Sequence, residues 1–219
     1  MDADDIRAST PICTTAEVAN LVGMPTPTVY SWTRMRGHRP ALVHTVANDL
    51  RGWPTIPVVG LAEAHVIRAL RSMDIRMSKI AEVVNWLRNE ANDPFALASP
   101  KLVTDGIDLY VQRDADLERA FDGQRPIKET IADHLREIDV WPDGYAGGYS
   151  PERLGPAIQI DARFSAGRMS FVRNRVPLFA VAGGLIAGDS PESVAADYGL
   201  NPDEIALVER NLDWLKEAA

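Results

Sequence analysis

The chain has one cysteine and four histidines in 219 positions. A lone thiol, Cys13, closes no internal disulfide, so the fold must rest on packing and a reducing compartment is expected. His38, His44, His65 and His134 are scattered, with no second ligand at a metal-binding spacing. No metal or other cofactor is expected, and without a nucleophile–base pair neither is an enzyme. No apolar run is long enough to cross a bilayer. The opening Met1-Asp2-Ala3-Asp4-Asp5 is acidic where a secretory leader is basic. A cytoplasmic protein without a membrane partner is the expectation. Net positive charge is missing as well. The balance is −8, the wrong sign for indiscriminate binding to phosphate backbones.

What is present is an uneven distribution of charge. Between Thr33 and Lys79, Arg34, Arg36, Arg39, Arg51, Arg68, Arg71, Arg76 and Lys79 face only Asp49, Glu63 and Asp74. From Glu90 to Glu137 the balance reverses. A local basic face beside an acidic remainder suits a DNA reader, and a merely solvated mixed surface is the plainer alternative.

The basic block adjoins the most informative stretch. Thr14 and Glu17 have the spacing of a capping box. Val18, Ala19, Leu21 and Val22 give a first helix its apolar face. Gly23 stops that helix, and Met24 can pack back into the angle. Thr26 is the expected cap of a second helix, with Pro27 at its first position. Val29 and Trp32 anchor the second helix inward, leaving Thr28, Tyr30, Ser31 and Arg34 towards the outside. The pattern is a helix-turn-helix whose second helix would enter a major groove. An ordinary helical hairpin in a core fits the same spacing.

Leu42-Val43-His44 and Ile56-Pro57-Val58-Val59, joined by a polar, turn-rich segment, read as a hairpin wing. Helices follow at 61–73 and 77–88, the latter stopped by Asn92-Asp93-Pro94. Asp105-Gly106 between Lys101-Leu102-Val103-Thr104 and Ile107-Asp108-Leu109-Tyr110-Val111 predicts a second hairpin. A nuclease reading of Asp105, Asp108 and Asp114 as metal ligands is weak, because such sites gather acids from separate elements. Asp143 to Pro151, rich in glycine and tyrosine, reads as a linker. Beyond it lie three helices, the second opened by Ser190-Pro191 and the last by Asn201-Pro202. The expected fold is mainly α with small β-hairpins. Its expected divisions are an acidic tail at 1–11, a helix-turn-helix domain at 12–92, an α+β platform at 93–142, a linker at 143–155 and a three-helix bundle at 156–219.

Two resemblances sharpen this. Val18-Ala19, Leu21, Gly23, Thr28, Trp32 and Leu70-Arg71-Ser72-Met73-Asp74-Ile75 leading to Ile80 resemble the MerR-type winged-helix domain over residues 12–90. Tyr30-Ser31-Trp32 departs from that family's usual arginine-tyrosine-tryptophan, and Asp74 stands where glycine is usual, a change that a left-handed turn tolerates. Ile158-Gln159-Ile160-Asp161, Gly167, Arg175-Val176-Pro177, Gly188-Asp189-Ser190 and Tyr198-Gly199-Leu200 resemble the bacterial module catalogued as domain of unknown function 433, over residues 156–216. Met169 and Arg173 depart from that pattern, which commonly has proline and glycine there.

Together the two resemble VapB-like antitoxins of type II toxin–antitoxin pairs. The resemblance implies operator double-stranded DNA and a PIN-like ribonuclease toxin as partners, autorepression, and assembly as a homodimer or a hetero-oligomer with the toxin. On that reading Thr26, Thr28, Tyr30 and Ser31 meet base edges, while Arg34, Arg36, His38, Arg39 and Arg51 hold the backbone. Arg168, Arg173 and Arg175 would meet the toxin's carboxylate pocket; each also suits a local cap or ion pair. The alternative is a ligand-sensing regulator whose effector lies among Trp141, Tyr145 and Tyr149.

Overall fold

A computed structural model describes residues 1–35, 40–113 and 127–218, and the side chains of these except 108–113, 127–130, 217 and 218. The fold is mainly helical, with one small antiparallel sheet and an N-terminal helix-turn-helix.

The first residues are not a frayed tail. Helix α1 (Ile6–Ser9) is capped by Asp5, whose carboxylate accepts from the Arg7 N–H. Arg7, only 3% exposed, forks onto Asp5 and onto both oxygens of Asp143 at 2.8 and 2.6 Å. Its guanidinium lies 4.5 Å from the Trp141 ring centre. The fork holds the Asp143 carboxyl down at about 2. Of the acidic start, Asp5 is thus taken up in burying one arginine, while Asp2 and Asp4 face solvent.

Helices α2 (Thr15–Leu21) and α3 (Thr26–Trp32) follow the local signals closely. Thr14 and Glu17 form both bonds of the capping box, at 2.6 and 3.2 Å. Gly23 takes φ +66°, a conformation in which glycine meets no steric penalty, and the Met24 N–H bonds back to the Ala19 carbonyl at 2.9 Å. The cap of α3 differs from expectation. Pro25 occupies it without a side-chain bond, and Thr26 is already helical. Val29 and Trp32 are buried, at 0 and 2% exposure.

No strand pair forms a wing among the described residues of 40–57. Pro40, Pro54 and Pro57 withdraw three ladder donors, and Ile56 exchanges both backbone bonds with Cys13 instead. Val58 and Val59, read as strand, open α4 (Val58–Ser72). The segment is a loop crossed by two bonds, Val46 N–H to the Thr55 carbonyl at 2.8 Å and the Asn48 side-chain amide to the Pro54 carbonyl at 3.0 Å.

Helix α4 is buried along nearly its whole length and carries the main core. Asp74 then adopts φ +59°, the left-handed turn anticipated for it. Helix α5 (Met77–Glu90) packs on α6 (Pro100–Arg113), which replaces the hairpin expected around Asp105-Gly106. That dipeptide lies mid-helix, and a Cβ on Gly106 would overlap the Leu87 side chain. The glycine therefore permits a close helix approach rather than a turn. Helix α7 (Ile127–His134) packs on α4 and α6.

The sheet runs β1 (Ile138–Val140), β2 (Ala146–Tyr149), β3 (Ile158–Asp161), β4 (Ser170–Phe171), each antiparallel to the next. Strand β2 lies inside the segment read as a linker, and all four of its residues are buried. Gly147 accommodates the Trp141 indole and Gly148 the Ile160 carbonyl, so the glycines allow packing instead of flexibility. Strands β1 to β3 contribute to the main core, whereas Ile158 and Phe171 belong to a second core with the C-terminal helices.

That second core is closed by α8 (Leu178–Ala187), α9 (Pro191–Tyr198), α10 (Pro202–Arg210) and α11 (Leu212–Ala218). Gly188 and Gly199 end the first two at φ +96° and +61°. Ser190 caps α9, and Asn201 with Glu204 forms a capping box on α10. The last helix, read as continuous, breaks at Asn211. Its side chain donates to the Leu207 carbonyl at 2.9 Å and accepts from Arg153 Nε at 3.0 Å, so four short helices stand where three were expected.

Candidate nucleic-acid interface and partner face

With Val29 and Trp32 turned inward, the outer face of α3 presents Thr26, Thr28, Tyr30 and Ser31, followed by exposed Arg34. Tyr30 is 47% exposed, and the Arg34 guanidinium lies 4.7 Å from its ring centre, in cation–π range. The Ser31 hydroxyl donates to the Thr28 carbonyl at 2.7 Å, which leaves its oxygen lone pairs to accept from a base or water. Arg36, His38 and Arg39 lie outside the described residues.

Beneath α3 a buried ion pair fixes the chain that leaves it. Arg88 donates to the Ala41 and Leu42 carbonyls, both at 2.8 Å, and to Glu63 at 2.9 Å. Glu63 also accepts the His44 N–H at 2.5 Å. Burial pushes the Glu63 carboxyl up to about 7, against the opposing pull of Arg88 and His44. The Leu42 and Val43 N–H groups close onto the Trp32 carbonyl. His44 packs its ring 4.8 Å from that of Phe95, and burial and Arg88 lower its pKa.

Arg51 is exposed at the tip of the 40–57 loop, beside Leu50 and Trp53, which are 55 and 59% exposed. Sequence reasoning picked out Arg51 but not its two apolar neighbours; a tryptophan in a polar turn was the available signal. It also missed the cleft of about 420 Å³ between α3 and the start of α5, where Thr28, Ser31 and Arg34 share a wall with Met77 and Ser78. Helix spacing alone does not say which helix end lies beside another.

On the C-terminal module the three candidate arginines part company. Arg168 is exposed and stacks 5.2 Å from the Phe179 ring centre. Arg173 is committed internally, forking onto Glu204 at 3.0 and 2.7 Å and donating to the Gly199 carbonyl at 2.6 Å. It ties the α9–α10 turn to β4. Arg175 takes φ +62° and lies over Phe164 at 4.2 Å, and one of its buried guanidinium nitrogens meets no hydrogen-bond partner among the described residues.

The aromatic trio proposed as an effector wall is occupied by the protein itself. Trp141 is held between Arg7 and Arg163. Tyr145 donates to Asp93. Tyr149, 1% exposed, bonds to Glu137 at 2.5 Å and to His65 at 3.2 Å. Cys13 is buried, and burial pushes its thiol pKa up, which makes it a poor nucleophile. Among the described residues no three metal-ligating side chains converge, and no helix is long and apolar enough to cross a membrane.

Residues 11–84 match a family model described as "Putative DNA-binding HTH domain". The chain is 28% identical over 224 aligned residues to a Mycobacterium tuberculosis protein named "Putative antitoxin VapB45", covering 92% of this chain and 93% of that one. It also superposes on the X-ray crystal structure of Rv2018 from Mycobacterium tuberculosis with a TM-score of 0.76 at 27% identity, covering 92% of this chain and 98% of the other. Along nearly its whole length the chain is thus similar to a protein named as an antitoxin, and its N-terminal end matches a helix-turn-helix model.

Proposed function

We propose that the protein is an antitoxin that binds and neutralises a cognate PIN-like ribonuclease and binds its own operator to repress the pair. The observation that carries this is the near end-to-end similarity to a protein named as an antitoxin, joined to an α3 whose polar face is left open to solvent. On this reading the N-terminal unit is a MerR-like reader with a loop in place of the wing, and the C-terminal helices are the module that holds the toxin.

In the DNA-bound state α3 lies in the major groove. Thr26, Thr28, Tyr30 and Ser31 face base edges, and Arg34, Arg36, His38, Arg39 and Arg51 neutralise phosphates. A two-fold operator calls for a dimer. Towards the toxin, Arg168 and Arg175 supply guanidinium groups for carboxylates, and Arg173 holds the turn beside them in place.

The test is co-expression with the product of the adjacent reading frame, with gel shifts on the upstream DNA. Co-purification, relief of growth arrest and a specific shift support the proposal. A neighbour that encodes a transporter or metabolic enzyme, with no complex formed, would replace it with a regulator that has no toxin.

A further inference from the structure

Between the two modules lies an open groove of about 340 Å³, walled by α2, α8 and α11 and by the turn that follows β3. Its floor is apolar, with Leu21 of α2, Ile160 of β3, Ala182 of α8 and Leu215 of α11. The α8 wall leaves large apolar side chains uncovered: Phe179 is 55% and Ile186 52% exposed. Gly183, between them on the same face, is exposed, and a Cβ there would meet nothing within 4 Å. At i, i+4 and i+7 these three positions form a stripe of two turns, about 10 Å long, with a dip at its centre.

The charged rim is mostly cationic. Arg168 stacks on Phe179, and Lys216 of α11 makes a 3.2 Å pair with Asp213, which is 97% exposed. Glu17, also on the wall, is committed to its capping box. Arg168 has no carboxylate partner among the described residues. In a chain of net charge −8, a cationic rim around exposed apolar surface selects for an acidic, apolar occupant.

We propose that this groove seats an amphipathic helix of the partner protein, its apolar stripe against Phe179, Gly183 and Ile186 and a carboxylate towards Arg168 and Lys216. The inference rests on the antitoxin reading and adds the place and chemistry of docking. Two alternatives fit the groove less well. A second copy related by a two-fold axis through this stripe would bring Arg168 towards its own equivalent. A small ligand on the floor leaves the outward halves of Phe179 and Ile186 uncovered.

The experiment uses the full chain co-expressed with the tagged product of the adjacent reading frame, followed by calorimetric titration of the purified pair. Gly183→Leu fills the dip at an exposed helical site where leucine is a better helix former. Arg168→Glu reverses the rim. Each is expected to weaken partner binding by about tenfold or more, as loss of a central anchor does, with the melting temperature not lowered and the operator gel shift unchanged. Wild-type affinity in Gly183→Leu overturns the groove while leaving the antitoxin reading intact. Failure of the wild-type chain to form any complex removes that reading and the inference with it. A dimer of the free protein lost in Gly183→Leu assigns the groove to a second copy. A small bound mass in native mass spectrometry, lost in the same variant, assigns it to a metabolite. Either result overturns the proposal.

Discussion

Glu63 sits fully buried in the middle of α4, facing Arg88, with the Asp93 carboxylate also acting on it. Below about pH 4.5, its ordinary value, folded and unfolded chains both hold the proton. Between there and about 7 the unfolded chain releases it and the folded chain retains it, so stability falls, by at most about 3 kcal/mol from this group. In Glu63→Gln the fall in urea midpoint between pH 5 and 7.5 should shrink; an unchanged fall would assign the effect elsewhere. Removing the cation instead, by Arg88→Met, leaves Glu63 to hold its proton and strips the buried Ala41 and Leu42 carbonyls of their donor. A loss of about 1–3 kcal/mol is expected in denaturant unfolding. Arg34 is different, because it is exposed and its value lies in phosphate contact. Arg34→Ala with Arg36→Ala should weaken operator binding at every sequence and reduce the log–log salt slope by roughly 2. An unchanged slope removes both residues from the DNA face.

At the scale of elements, legibility followed locality. The α2–α3 turn, the Ser190 and Asn201 caps and the Gly188 and Gly199 stops were readable because each is settled within four residues of chain. The Asp105-Gly106 hairpin was not, because its signal is equally satisfied by a helix whose glycine admits Leu87, and Leu87 is distant in sequence. The β2 strand was missed for the same reason. Ala146-Gly147-Gly148-Tyr149 has no strand-forming pattern, and pairs only because Trp141 and the β3 backbone require bare glycines opposite them. These two kinds of glycine predict different costs. Gly60→Ala drives a Cβ into the His44 carbonyl, which is backbone and cannot swing away. Gly106→Ala meets the end of a leucine, which can turn. Thermal melts should show Gly60→Ala losing several times more stability than Gly106→Ala; the reverse order contradicts the helical assignment of 100–113.

At the scale of the molecule, two cores share one sheet, and the strands that join them run through what composition marked as a linker. Of the candidate site, the outer face of α3 was legible because Val29 and Trp32 declare the inner one. The local ion pair left open for Arg173 could not be assigned to Glu204, because the fork spans 31 residues, a separation that no local pattern reports. The account's central claim is that one chain engages operator DNA and a protein partner together. The most direct measurement is light scattering during size exclusion of the full chain mixed with the adjacent frame's protein and labelled upstream DNA. The account predicts a single peak whose mass requires all three components. A chain that elutes with neither DNA nor protein would contradict it.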